Sequence, residues 1–387
     1  MITAARYAVA ILGPGAATHG PRLKRAIKKR LRELGENVLD HVDFPRRRDV
    51  ADLGTKMPAV AVYFGGSDVP SDDDDVVKVL LARATVVIPV VQDLSVYGSQ
   101  VPAELGRING VAWDLSDPPD GLCNLVLENL GLLRKSRRLF ISYRRTDSSA
   151  AALQLRHALE ARGYDVFLDT HSVPKGDDFQ EVLWHRLSDS DVVVLLDTAG
   201  FVESRWTKEE LAQASAMTIG IVQVIWPGHE ELPDIALSER LRLDPSNFAG
   251  ETQDELVPAM VEAIAERVEA LRARSLAARH DNLVREFCDA AERVLVAAVV
   301  QPERFITATL KSGDKVAAIP AVGVLDASRY HEATKRFHDD RDYAAIFLLY
   351  DGRGLRPAWG EFLRWLDEHL PVKAVRITQA EERLVEQ

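Results

Sequence analysis

Leu139-Phe-Ile-Ser-Tyr-Arg-Arg145 is an apolar run that stops abruptly at a tyrosine and two arginines. Downstream, Trp206-Thr-Lys-Glu-Glu-Leu211 sets an aromatic residue and a carboxylate, Trp206 and Glu210, four positions apart at the start of a predicted helix. Between them, strand and helix patterns alternate. Leu139–Tyr143 reads as a strand, Ala150–Arg162 as a helix that ends at Gly163, and Asp165–Asp169 as a second strand. A loop over His171–Asp178 leads into a helix over Phe179–Leu187. Asp191–Thr198 reads as a strand, Glu209–Met217 as a helix and Ile219–Trp226 as a strand. Apolar strands alternating with helices predict a parallel sheet covered on both faces. Ligands of such sheets bind beyond the strands' carboxyl ends, and Tyr143-Arg144-Arg145 sits at one of these.

At 387 residues the chain is long enough for two or three domains, and 47% apolar residues can fill ordinary cores. A net charge of −11 opposes direct binding to nucleic acid or to anionic membrane. The basic stretch Lys24–Arg32 interleaves its cations with Leu23, Ala26, Ile27, Leu31 and Leu34, which reads as an amphipathic helix with a solvated basic face. Cys123 and Cys288 are far apart and lack ligand-like neighbours, and the ten histidines have no metal-ligand spacing, so neither a disulfide scaffold nor a metal site is expected. No leader or membrane span is evident, and the expectation is a soluble, cytoplasmic protein.

The segment before residue 134 reads as a related α/β unit. Tyr7–Leu12, Ala59–Phe64 and Thr85–Val91 are its strands, Pro21–Leu34 is a helix, and the acidic run Ser71–Asp75 is a solvated turn. An ungapped internal match lays Val86 to Leu105 over Val192 to Leu211, with Glu104 on Glu210 and Gln100 in place of Trp206. Helices are expected over Glu255–Ala273 and Asn282–Val296. A small α/β module follows, with strands at Phe305–Leu310, Lys315–Ile319, Tyr343–Tyr350 and Val372–Thr378 and helices at Tyr330–Arg336 and Trp359–Leu370. The expected organisation is thus 1–134, 136–250, a helical region 251–300 and a module 301–387.

Phe140-Ile-Ser-Tyr-Arg-Arg145, Val166-Phe-Leu-Asp169, Gly176-Asp-Asp-Phe179 and Ser204-Arg-Trp206 with Glu210-Leu211 resemble the successive motifs of a Toll/interleukin-1 receptor (TIR) domain. The resemblance runs from about Ser136 to Phe248 and is strongest to the bacterial and axon-degeneration branch, whose members cleave NAD. It implies a flavodoxin-like fold with Glu210 as catalytic carboxylate and Arg144 and Arg145 on the dinucleotide. Tyr143 and Trp206 would border the pocket. The loop Thr170–Asp178 resembles the BB loop, with Pro174, Lys175 and Gly176 as assembly residues. Active relatives of the axonal branch carry an acidic residue where this chain has Pro174. The resemblance further implies NAD+ as substrate rather than cofactor, linear or cyclic ADP-ribose as product, and TIR–TIR self-association into an oligomer or filament. The setting it implies is bacterial antiphage defence, with flanking units that sense a trigger or partner. The first unit is similar, more loosely, to deoxyribosyltransferase-like folds, through Gly98-Ser99 ahead of Glu104-Leu105.

The chemistry needs only one carboxylate. Nicotinamide leaves the pyridinium ribosyl bond as a neutral base, so no general acid is required, and the oxocarbenium-like ribosyl centre is what must be stabilised. Glu210 also has a structural reading, because Thr207-Lys-Glu-Glu210 fits a capping box. Trp206 reads equally as core, Tyr143 as packing, and Lys175 as a loop-tip charge. One of the two arginines is expected to reach the ligand and the other to make a structural pair. Two other functions stay open: a non-catalytic TIR adaptor acting through the BB-like loop, and a nucleoside or nucleotide N-glycosidase centred on Glu104.

Overall fold

Valine, isoleucine and leucine runs flanked by glycine and polar turns give three five-stranded sheets in a computed structural model. It describes residues 7–34, 36–50, 58–67, 71–113, 119–168, 179–200, 215, 217–228, 237–250, 254–301, 303–337 and 342–386. The chain divides into two compact units, Met1–Lys135 and Ser136–Gln387. No described helix is long and apolar enough to cross a membrane.

In the first unit, β1 (Tyr7–Leu12) is followed by helix α1 (Ala16–Glu33), β2 (Val42–Asp43) and β3 (Ala59–Phe64). Helix α2 (Asp74–Ala82), β4 (Val86–Val91), β5 (Val111–Ala112) and helix α3 (Asp120–Asn129) complete it. The order is β2-β1-β3-β4-β5, all parallel. Helix α1 is amphipathic as its spacing predicts, burying Leu23, Ile27 and Leu31. Arg30 departs from the solvated-face expectation: it is buried and paired with Glu33 and Asp120.

Two further expectations for this unit are corrected. The acidic run is not wholly a solvated turn. Asp73 is buried and its Oδ2 accepts the Gly13 N–H at 2.7 Å, while Arg47 pairs with its other oxygen. Asp74 accepts from the backbone and hydroxyl of Ser71. Asp73 therefore fixes the turn after β1, where Gly13 has φ +92° and a Cβ would overlap the Phe64 carbonyl oxygen. Nor does Glu104 start an α-helix. Ala103–Leu105 is one turn of 3₁₀ helix behind Pro102, after a four-residue helix Tyr97–Gln100.

The second unit opens with β6 (Arg138–Ser142), helix α4 (Arg145–Glu160), β7 (Asp165–Leu168), helix α5 (Phe179–Asp189), β8 (Val192–Asp197), β9 (Gly220–Ile225) and β10 (Ser238–Arg242). These strands lie parallel in the order β7-β6-β8-β9-β10, the same topology as the first sheet. Alternate residues feed opposite cores: Leu139, Ile141, Val192, Val194 and Val222 face α4, whereas Phe140, Val193, Leu195 and Ile221 face α5. The central α/β domain is therefore flavodoxin-like, as expected.

Two helices were expected beyond it, and the structure has one. Helix α6 runs unbroken over Pro258–Arg293, 36 residues. Its first half gives Ile264, Ala265, Val268 and Leu271 to the parallel sheet's core, and its second half gives Leu283, Phe287, Ala290 and Ala291 to the next core. Its polar middle is buried because it meets strand ends. Arg272 Nε donates to Asp191 at 2.7 Å with both side chains 0% exposed, Ser275 Oγ joins the Asp191 carbonyl (2.7 Å) to the Gly220 N–H (2.9 Å), and Arg279 donates to the Ser190 and Ser188 carbonyls.

The C-terminal module has β11 (Ala297–Val300), β12 (Ile306–Thr309), β13 (Lys315–Pro320), helix α7 (Ala327–Phe337), β14 (Ala345–Tyr350), helix α8 (Pro357–His369), β15 (Val372–Arg376) and helix α9 (Ala380–Val385). β11, β12 and β13 pair antiparallel, and β13, β14 and β15 parallel, a mixed sheet. The module abuts α5: Asp189 accepts from the Val324 N–H at 2.9 Å, and His185 lies 5.1 Å from Trp359.

Candidate active site

The chain order in the second unit reverses between β6 and β8, so the crevice beyond their carboxyl ends is where a ligand of this fold is held. After β6, Tyr143 is 3% exposed and belongs to the core beside α4. Arg144 has extended backbone (φ −92°, ψ 123°) and caps α4, its carbonyl accepting from the N–H groups of Asp147 and Ser148. Arg145 occupies the first helical position and is exposed.

The Arg144 guanidinium is held by Asp147, Nη1 to Oδ2 at 3.2 Å. The same Asp147 oxygen accepts from Thr198 Oγ1 at 3.0 Å, and Thr146 Oγ1 donates to the other at 2.6 Å. Asp147 therefore ties the end of β6 to the residue that follows β8. Burial acts to raise its pKa, but the hydrogen bonds from Thr146, Thr198 and Arg144, with the Arg144 charge, outweigh it and hold the carboxyl below its ordinary range. Gly200 completes the clamp: a Cβ there would overlap Arg144 Nη1 and crowd Asp147 Oδ2. At the end of β8, Asp197 Oδ2 accepts from Nε2 of Gln223, within β9, at 2.7 Å, and both residues are fully buried.

Asp147, Thr198 and Gly200 were not singled out by sequence. The signal available was Asp147 three residues after Arg144, the spacing of a helical ion pair. Asp197 and Gln223 are the polar members of otherwise apolar strands, a usable flag as well. Trp206 and Glu210, the BB-like loop residues Pro174, Lys175 and Gly176, and the predicted helix Glu209–Met217 lie outside the described residues, residue 215 and Met217 apart. Glu104, in the other unit, has a half-exposed side chain 3.8 Å from Lys78.

No curated protein matches the chain. Among solved structures, the C-terminal domain of glucosamine-fructose-6-phosphate aminotransferase from Francisella tularensis aligns at 10% identity over 71% of this chain and 84% of that one, with a TM-score of 0.21, too slight to carry weight. A family model described as TIR domain matches residues 139–259, from the second residue of β6 to the first turn of α6. With the parallel β7-β6-β8-β9-β10 sheet over the same residues, residues 139–259 of this chain are a TIR domain.

Proposed function

We propose that the TIR domain is an NAD+ nucleosidase that breaks the nicotinamide–ribose bond and releases nicotinamide with ADP-ribose or its cyclic form. The observation that carries this reading is the family match over 139–259 around Glu210, the carboxylate four residues after Trp206. Glu210 stabilises the ribosyl cation as nicotinamide leaves, and water or an internal nucleophile completes the exchange at C1′. Arg145, exposed at the helix start beside the switch point, supplies the fork that binds pyrophosphate oxygens. Arg144 makes the structural half of the arginine pair, locked to Asp147.

Assembly through the loop around Pro174, Lys175 and Gly176 belongs to the same proposal, with antiphage defence as its setting. Turnover per chain should then rise with protein concentration. The test is chromatographic: NAD products are separated for the wild-type chain and for Glu210→Ala across a range of concentrations. Undiminished NAD consumption by Glu210→Ala refutes the assignment.

A further inference from the structure

We propose that the N-terminal unit binds the phosphate backbone of nucleic acid, without reading its sequence, on a basic face made by the outside of α1 and the loop that follows β2. The charge of the whole chain opposes such binding, but that charge is unevenly placed. Residues 1–135 hold 17 Lys+Arg and 17 Asp+Glu, so the net −11 belongs entirely to residues 136–387. Within the first unit, residues 22–48 alone hold ten Lys+Arg against four Asp+Glu. Charge of one sign concentrated on one face attracts a polyanion locally even where the total charge does not.

The fold gathers these cations on one side. Leu23, Ile27 and Leu31 are the buried stripe of α1. At about 100° per residue, Lys24, Lys28, Arg32, Arg25 and Lys29 then occupy an outward arc of about 140°. Arg25, Lys29 and Arg32 are exposed and run about 10 Å along the helix. Phe44, directly after β2, joins the loop to the helix: its ring centroid lies 4.7 Å from Lys24 Nζ and 5.6 Å from Lys28 Nζ. The exposed Arg46, Arg47 and Arg48 follow, the last two opening the one-turn helix Arg47–Val50.

Some of these charges are engaged within the protein. Arg47 pairs with Asp73 and Asp72, Arg48 lies 3.6 Å from Asp49, and the buried Arg30 pairs with Glu33 and Asp120. Lys24, Arg25, Lys28, Lys29, Arg32 and Arg46 have no carboxylate within 4.0 Å among the described residues. Six such cations on one face suit phosphates rather than a membrane surface. Among the described residues, α1 and this loop expose no large hydrophobic side chain that could enter a bilayer, and the two lysines cover the Phe44 ring. Duplex DNA presents one phosphate per about 1.7 Å of its axis, so a row of about 10 Å faces several phosphates at once. Contacts to phosphate set position and carry no sequence information.

The test is fluorescence anisotropy of a labelled, mixed-sequence DNA duplex of about 20 base pairs titrated with this chain. At about 50 mM monovalent salt the Kd should lie below about 100 µM, and log K should fall with log salt at a slope of about −3.5, the value for about four phosphates neutralised. A duplex of unrelated sequence should bind within about threefold. Arg25→Glu/Lys29→Glu/Arg32→Glu, all at exposed positions, should weaken binding by about tenfold or more while the thermal midpoint holds. Lys311→Glu/Lys315→Glu/Lys335→Glu changes the total charge equally at exposed positions of the other unit and should bind as the wild type does. Arg46→Gln alone should make the slope shallower by about 0.9. The proposal is overturned if the duplex does not bind up to about 100 µM, if the slope is shallower than about −1, or if the α1 variant binds like wild type. It also fails if the distant variant loses as much affinity as the α1 variant, or if phosphatidylserine vesicles or polyglutamate of equal charge compete as well as unlabelled duplex.

Discussion

Replacing Arg272 by methionine should damage the TIR sheet from a position in helix α6, well beyond the sheet's last strand in sequence. Arg272 is fully buried and donates to Asp191 at 2.7 Å, and Asp191 is equally inaccessible. Arg272→Met keeps most of the side-chain volume but takes the guanidinium from the buried Asp191 carboxylate at the start of β8. Breaking such a pair by removing one partner costs about 3–5 kcal/mol. Opening of β8 should then become about two to three and a half orders of magnitude more frequent, at tenfold per 1.4 kcal/mol. Hydrogen exchange of the Val192–Asp197 amides, read by mass spectrometry in the full chain, measures that opening locally. The double variant Arg272→Met/Asp191→Leu removes both charges and should recover most of the lost protection, because an apolar pair of similar volume is tolerated where a half-pair is not. Protection in Arg272→Met within about 1 kcal/mol of wild type would show that the Arg272–Asp191 pair does not hold β8 in place. So would a double variant no better than the single one.

Gly200→Ala should leave the thermal midpoint nearly unchanged, because the flexible Arg144 head can retreat from the new Cβ. Losing the Arg144–Asp147 clamp should nonetheless lower NAD turnover by about tenfold, about 1.4 kcal/mol in the barrier, and unchanged turnover would show the clamp to be incidental. Asp73→Ala leaves the buried Gly13 N–H without its acceptor and should cost the N-terminal unit about 1–3 kcal/mol in urea unfolding. The pH dependence is set partly by His185. Burial, then the charges of Arg186, Arg356 and Arg138, push its pKa down to about 4 from 6.5. The unfolded state therefore binds a proton that the native state refuses. Its contribution is complete above pH 6.5 and is lost as the pH falls toward 4. The shift alone would be worth about 3 kcal/mol, and solvent screening of the partly exposed ring reduces this to about 1–2. Urea midpoints of wild type and His185→Phe should therefore diverge between pH 7 and 4.5, with the variant the less sensitive.

The strands that sequence makes legible are those with continuous apolar runs, such as Val192–Asp197, because both faces of a parallel strand are buried. Ser238–Arg242 escapes that signal: it is an edge strand, mostly polar, defined by pairing with β9 rather than by composition. Helix α6 reads as two helices for a related reason. Between Ala273 and Asn282 it carries Ser275 and Arg279, which look like a solvated break until the Asp191, Ser190 and Ser188 carbonyls are seen to receive them. Arg144 was visible in the candidate site, whereas Asp147, Thr198 and Gly200 acquire meaning only when β6 and β8 end side by side. Asp73 looked like one of four solvated aspartates because sequence does not show that Gly13 is left with a buried N–H to satisfy.

The proposed role of Glu210 in NAD cleavage has a direct kinetic test. It is read as the rate of nicotinamide release from NAD by this chain at high concentration, with Glu210→Ala compared under identical conditions. Wild type should release nicotinamide stoichiometrically with NAD loss, and the variant should be slower by about a hundredfold or more, the cost of removing one principal electrostatic stabiliser. Equal rates for the two proteins would show that Glu210 is not the catalytic carboxylate.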